Sequence, residues 1–186
     1  MGLFDSVFGR SKPVKPDLDQ LFGLPSAAVT LRLAAGFRPT GTGSVCFAAV
    51  EGGAFEQVLR DLDELLAGLT TSRDDYGYTW LLARRTPDDL TSLVTDLHAI
   101  NTALEGNGFG PQLLCSLAAF EHADGRRLAL VYLYKRGTFY PFAPVPGTRE
   151  KRDTTLELQV KAATADDLRL ESDLSRWFPV WGAPGL

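Results

Sequence analysis

The sequence predicts an α+β domain: a mostly antiparallel sheet with two main amphipathic helices packed on it. Three observations predict it. Phe55, Val58, Leu59, Leu62, Leu65 and Leu66 recur at helical spacing, and so do Leu90, Leu93, Val94, Leu97, Ile100 and Leu104. Residues 112–120 and 127–134 are apolar runs on either side of an Asp124-Gly125 turn, which reads as a hairpin. In the second run both alternating sets are apolar: Leu128, Leu130, Tyr132 and Tyr134 against Ala129, Val131 and Leu133. Such a strand is covered on both faces and belongs in the middle of its sheet. By analogy alone the architecture is the α/β sandwich of small secretion-chaperone-like domains.

A length of 186 residues bounds the chain to one domain with tails. Residues 1–16 read as an N-terminal amphipathic helix and linker, and residues 17–186 as the α+β domain. In the first segment Leu3, Phe4, Val7 and Phe8 fall within an arc of roughly 140° on a helical wheel. Arg10, Lys12 and Lys15 follow, and Pro13 and Pro16 stop a longer helix. An apolar stripe followed by cations suits a membrane surface, and it equally suits docking on the protein's own core. Met1-Gly2-x-x-x-Ser6 also fits an N-myristoylation pattern.

Along the rest of the chain, a short helix is expected over 17–22 with Asp17 as its cap. The alternation Val29-Thr-Leu-Arg-Leu33 predicts a strand. Residues 34–44, with Gly36, Pro39, Gly41 and Gly43, read as a loop. Gly41-Thr-Gly-Ser lacks the Walker lysine and the dinucleotide spacing, so it is a connection and no phosphate cradle. Residues 45–50 form a strand, 53–66 a helix, 70–76 a polar loop and 78–83 a strand. Thr86-Pro-Asp-Asp89 starts the next helix, with Thr86 as cap, and Gly106-Asn-Gly108 ends it. Asn101 projects into the apolar stripe of that helix and must be hydrogen-bonded, most simply to a neighbouring loop. His98 has no evident partner, and His122 sits at the hairpin tip, where solvent should reach it.

Lys135-Arg136-Gly137 breaks the central run, and Phe139, Tyr140, Pro141, Phe142, Pro144 and Pro146 follow at once. Lys135, Arg136, Phe139, Tyr140 and Phe142 are therefore the candidate partner-contact edge, two cations beside an aromatic cluster. Residues 148–153 should be exposed, and Asp153 caps a helix carrying Leu156, Val160 and Ala163. The tail holds Trp177, Phe178 and Trp181, which must hide on the domain's own core, on a partner or on lipid.

A net charge of −4 argues against a general nucleic-acid binder. No run approaches the roughly 18 apolar residues of a membrane span, and no signal peptide is evident. Cys46 and Cys115 sit in apolar runs and read as buried, reduced thiols, which points to a cytoplasmic setting. There is no G-x-S-x-G, H-E-x-x-H, C-x-x-C or P-loop. No catalytic residue, metal site or cofactor is expected. The pairs Asp74-Asp75, Asp88-Asp89 and Asp166-Asp167 read as loop and cap acids.

Several blocks together carry a resemblance. They are Met1-Gly-Leu-Phe-Asp5 with Gly9-Arg-Ser-Lys-Pro13, Gly36-Phe-Arg-Pro-Thr-Gly41, Asp75-Tyr-Gly-Tyr-Thr-Trp80, Leu97-His-Ala-Ile-Asn101, Gly108-Phe-Gly-Pro-Gln-Leu113, the run from Tyr132 to Phe142, and the run from Asp173 to Gly182. Over nearly its whole length the chain resembles the PspA-associated PspAB family of bacteria, chiefly actinobacteria. The resemblance implies a companion of the phage-shock protein A envelope-stress system, with no catalytic residues to carry over. Met1 to Asp5 is also similar to the start of PspA and its chloroplast and cyanobacterial relatives, whose first helix lies on stressed membrane.

Three functional readings follow. The leading one is a non-enzymatic adaptor or regulator that binds a PspA-type protein, an acid-rich long helix, and touches the inner membrane face peripherally through Leu3, Phe4, Val7 and Phe8. The second is a small-molecule-binding or hydrolytic domain with Asn101, Tyr76 and Arg136 around a pocket. The third is a secretion-chaperone-like module holding a peptide in an apolar groove.

Overall fold

The computed structural model describes residues 16–186. The first element is a 3-10 turn, Leu18–Gly23. The α-helices and strands after it are α1 (Leu24–Ala35), β1 (Arg38–Ala48), α2 (Gly53–Leu65), β2 (Thr70–Arg73), β3 (Tyr78–Arg84), α3 (Leu90–Leu104), β4 (Leu113–Glu121), β5 (Arg127–Leu133), β6 (Thr138–Phe142) and α4 (Thr154–Ala163). The strands form one six-stranded antiparallel sheet in the order β2-β3-β1-β4-β5-β6. This is the α+β class that the sequence predicts.

The pleat sorts the sheet into two apolar faces. Val45, Phe47, Leu81, Ala118, Phe120, Leu130 and Tyr132 point to the side covered by the helices. Leu93, Val94, Leu97 and Ile100 of α3 are fully buried against that face, with Leu24, Ala27 and Leu31 of α1 beside them. Cys46, Trp80, Cys115, Leu117, Val131, Tyr140 and Phe142 point the other way, where Trp177, Val180 and Ala183 of the C-terminal tail cover them. The layers are therefore helices, sheet and an irregular strap. As expected, β5 is buried on both faces, with β4 and β6 as its neighbours.

Residues 29–33 are helical, so the expected strand there is wrong. The buried residues Leu24, Ala27, Ala28 and Leu31 define a stripe at i, i+3, i+4, i+7. The alternating Val29 and Leu33 are 61% and 82% exposed, so their spacing marks no face. Pro25 sits in the first turn, where its missing N–H costs nothing, and Gly36 ends the helix in the left-handed conformation. Ser26 and Thr30 both donate to the carboxylate of Asp167, which ties α1 to the chain after α4.

The expected loop over 34–44 is mostly strand. β1 already begins at Arg38, and its register against β4 shifts between Pro39 and Gly43. Gly41, at φ +82°, makes that bulge. A Cβ there would lie 2.2 Å from the Arg85 carbonyl. The glycine thus serves a close strand approach, and its own carbonyl accepts from the Arg85 amide at 2.8 Å.

The expected polar loop over 70–76 holds β2, whose four residues are all exposed. Strand pairing there rests on backbone bonds to β3, so no apolar alternation announces it. At the start of α3, Asp89 is the cap: its side chain accepts from the Ser92 amide at 3.2 Å, while Thr86 contributes its carbonyl to the turn. Asn101 is fully buried, and its amide donates to Leu97 O and Ser116 Oγ, both at 2.8 Å. It clamps α3 onto β4 instead of holding a loop. His98 has the Phe22 ring at 4.9 Å and Asp19 at 3.3 Å. His122 is half-buried beside the Phe37 ring and pairs with Asp124, so it is not the solvated tip residue that was expected.

Candidate functional site

The outer face of the sheet is incompletely covered. Between the strap and the strands lies an open cleft of about 850 Å³. Its floor is a row across four adjacent strands: Trp80 of β3, Cys46 of β1, Cys115 of β4 and Leu133 of β5, each the register partner of the next. Tyr140 of β6 adds its ring to this floor. Tyr76, Tyr78 and Phe178 stand at the mouth and are 65%, 42% and 59% exposed.

Asp74 shapes the side formed by the turn between β2 and β3. One of its oxygens accepts from the amides of Tyr76 and Tyr78, each at 2.9 Å. The other accepts from the Trp80 indole at 2.8 Å. A single carboxylate thus presents two tyrosines to the mouth and fixes the tryptophan of the floor. The acid that reads from sequence as a loop residue is a positioning residue of the cleft.

The strap is held by two buried carboxylates. Glu157 of α4 accepts from the Ala143 amide at 2.9 Å and from Arg152 at 2.8 Å. Arg152 in turn donates to Trp177 O at 2.6 Å and lies 4.9 Å over the Phe142 ring. Glu171 accepts from Arg136 at 3.0 Å, Thr138 at 2.9 Å and the Asp173 amide at 3.1 Å. Burial alone would raise its pKa, but these three donors outweigh it and hold Glu171 below the ordinary carboxylate value. The Trp177 ring stacks on Tyr140 with centroids 6.0 Å apart, and the Tyr140 hydroxyl donates to Phe178 O at 2.6 Å. Trp181 meets Phe142 edge-on at 4.8 Å. Two of the three tail aromatics therefore dock on the protein's own sheet, and Phe178 does not.

The expected contact edge is redistributed. Phe139, Tyr140 and Phe142 are residues of a true strand, β6, so their rings alternate between faces and cannot form one exposed cluster. Phe139 lies under the helices beside Tyr132, while Tyr140 and Phe142 lie under the strap, and all three are buried. The backbone of residues 169–171 pairs with Phe139 and covers that edge of the sheet. Arg136 is half-buried on Glu171. Lys135 alone of the five is exposed, and it lines the cleft. The pocket expected around Asn101, Tyr76 and Arg136 does not form, because Asn101 of α3 is buried against Ser116 on the helix side of the sheet and the other two line the cleft on the opposite side.

The expected membrane-contact residues Leu3, Phe4, Val7 and Phe8, the myristoylation pattern and the helix-and-linker segment that holds them lie outside the described residues. No helix among the described residues is long and apolar enough to cross a membrane. Among the same residues no three His, Cys, Asp or Glu side chains gather into a metal-binding group.

Fold and site together define an α+β sheet domain with one open, aromatic-rimmed cleft under a C-terminal strap. The chain belongs to the PspAB family, described as PspA associated protein B, whose family model matches residues 1–185. That description ties the family to PspA. No curated protein and no solved structure matches the chain.

Proposed function

We propose that this protein is a non-enzymatic adaptor that docks a PspA-type protein in the cleft between the strap and the outer face of the sheet. The observation that carries the proposal is the ring of exposed aromatics, Tyr76, Tyr78 and Phe178, around an apolar concavity of about 850 Å³. Exposed aromatic rings beside a preformed hollow are the anchors that protein interfaces favour. Lys135 adds a cation at the rim, which suits a partner rich in acids. The occupant in this reading is an apolar ridge of the partner's helix, with its acids turned toward Lys135. The family's tie to PspA supports the choice of partner.

The finer setting belongs to the same proposal. The adaptor acts in bacterial envelope stress, on the cytoplasmic side, and Leu3, Phe4, Val7 and Phe8 give it a peripheral hold on the inner membrane face. The test is the affinity of the full-length protein for its cognate PspA-type protein, measured by biolayer interferometry. K135E combined with F178D is expected to weaken binding more than tenfold, about 1.4 kcal/mol or more. Unchanged affinity would remove the cleft as the docking site. Flotation with liposomes, run with and without residues 1–11, tests the membrane hold separately.

A further inference from the structure

The chain has two cysteines, and the sheet sets them face to face. Cys46 and Cys115 are register partners in an antiparallel pair. Residues so opposed have Cα atoms about 4.5–5.5 Å apart, within the range of about 4.4–6.8 Å that a disulfide spans. Both side chains belong to the outer face, side by side across the β1–β4 pair. Both line the floor of the open cleft. A thiol in a sealed core is a small hydrophobe with no further duty. These two are mutually opposed and open to a cavity, whereas the buried cluster on the helix face has no cysteine.

We propose that Cys46 and Cys115 form a dithiol site, which a small peroxide entering the cleft oxidises to a reversible cross-strand disulfide. Cys115 is the more open of the two, at 8% against 3%, and attacks first. The Cys115 thiol gives up its proton, its thiolate takes one oxygen of hydrogen peroxide as the O–O bond breaks, and the departing hydroxide takes up a proton to leave as water while a sulfenic acid forms on Cys115. The Cys46 sulfur then attacks that sulfur, the S–S bond forms, and the sulfenic oxygen departs with the Cys46 proton as a second water. Two thiols are oxidised by two electrons, and one peroxide is reduced to two waters. Hydrogen bonding to Cys115, and then burial, push the Cys46 thiol well up, so Cys46 is not the thiol that meets the peroxide first. The same burial makes the reaction slower than at exposed low-pKa sensor thiols. The disulfide would cross-link β1 to β4 beside the register shift between Cys46 and Phe47. It stands apart from the docking proposal, since neither needs the other.

The experiment treats the folded full-length protein with millimolar hydrogen peroxide. The readouts are free thiols, intact mass, peptide maps and thermal melting. Both thiols are expected to disappear together, with a mass loss of two hydrogens and a mapped link between the peptides of Cys46 and Cys115. Dithiothreitol should restore both thiols. Closing so long a loop should raise Tm by roughly 5–15 °C. The neighbouring Trp80 should lose emission when the disulfide forms. In C46S a sulfenic acid trapped by dimedone should accumulate on Cys115. Thiols that persist in the folded protein and oxidise only after denaturation would overturn the proposal. So would oxidation that yields dimers or sulfonic acids without the internal link. Should C46S fail to fold, the peptide map of the unaltered protein decides alone.

Discussion

The two faces of the sheet are closed by different means. On the helix face, α1 and α3 present apolar side chains at regular spacing, and Leu31, Leu93, Val94, Leu97 and Ile100 leave no access for solvent. On the outer face a strap with a single short 3-10 turn, Leu174–Arg176, is drawn down by polar anchors, and it leaves a cleft. Regular periodicity fills space because every turn delivers the next knob to the next hole. An irregular strap is held to the sheet at separate anchors, among them Trp177, Trp181, the Arg152–Glu157 pair and the Tyr140 hydroxyl on Phe178 O. The sealed face supplies stability, and the strapped face supplies a concavity.

The largest effect should come from the sealed face. Leu97 is fully buried beneath the sheet, and L97A removes its packing with little room to collapse. A loss of about 3–5 kcal/mol in denaturant unfolding is expected, with helix and sheet signals falling together. A loss under about 1 kcal/mol would mean that the helix layer is softer than its burial indicates.

Next comes the strap. R152A leaves Glu157, which is 2% exposed, without its cation and frees Trp177 O of its donor. Breaking a buried pair typically costs about 3–5 kcal/mol, and the partial exposure of Arg152 reduces that to about 2–3. The loss should be local. Hydrogen exchange of residues 173–186 should speed up while α3 keeps its protection. Equal acceleration of both would erase the distinction between the faces.

What the sequence discloses follows the same division. The helix face is written in periodic apolar residues, so α2, α3 and the β4–β5 hairpin are legible almost residue by residue. Misreadings arise where a short window imitates another period, as at Val29-Thr-Leu-Arg-Leu33. They arise also where pairing needs no apolar signal at all, as in β2. The outer face is largely illegible because it depends on register and on a docking between chain segments far apart. Nothing local in Cys46 or Cys115 announces that they oppose each other. Nothing local in Asp74 announces its three donors. The aromatics after Arg136 look like a surface cluster until β6 places them on alternate faces. Trp177, Phe178 and Trp181 demand cover by composition, yet only the fold tells that Phe178 is the one left out.

A smaller, pH-dependent effect should separate the anchors. Glu171 has a folded pKa below its ordinary value of 4.5. Its contribution is therefore present above that value and is lost as pH falls through the depressed folded pKa. The strap should loosen below pH 4.5, read as a change in tryptophan emission before the sheet unfolds. E171Q should remove that acid step, and an identical acid profile in the variant would assign the transition to other carboxylates.

The smallest effect on stability should fall at Phe178, and it sharpens the contrast most. Phe178 is 59% exposed, and what fastens this residue is its backbone carbonyl on the Tyr140 hydroxyl. F178S keeps that carbonyl and removes only a half-solvated ring, so unfolding free energy should change by about 0.5 kcal/mol or less. The same change deletes one of the three aromatics at the mouth of the cleft, so affinity for the PspA-type partner should fall severalfold. Chemical denaturation and biolayer interferometry on one preparation check both halves. A ring that a folded protein leaves in water without losing stability has its energetic use elsewhere. A variant that loses stability but keeps its partner would reverse that assignment and return Phe178 to the fold.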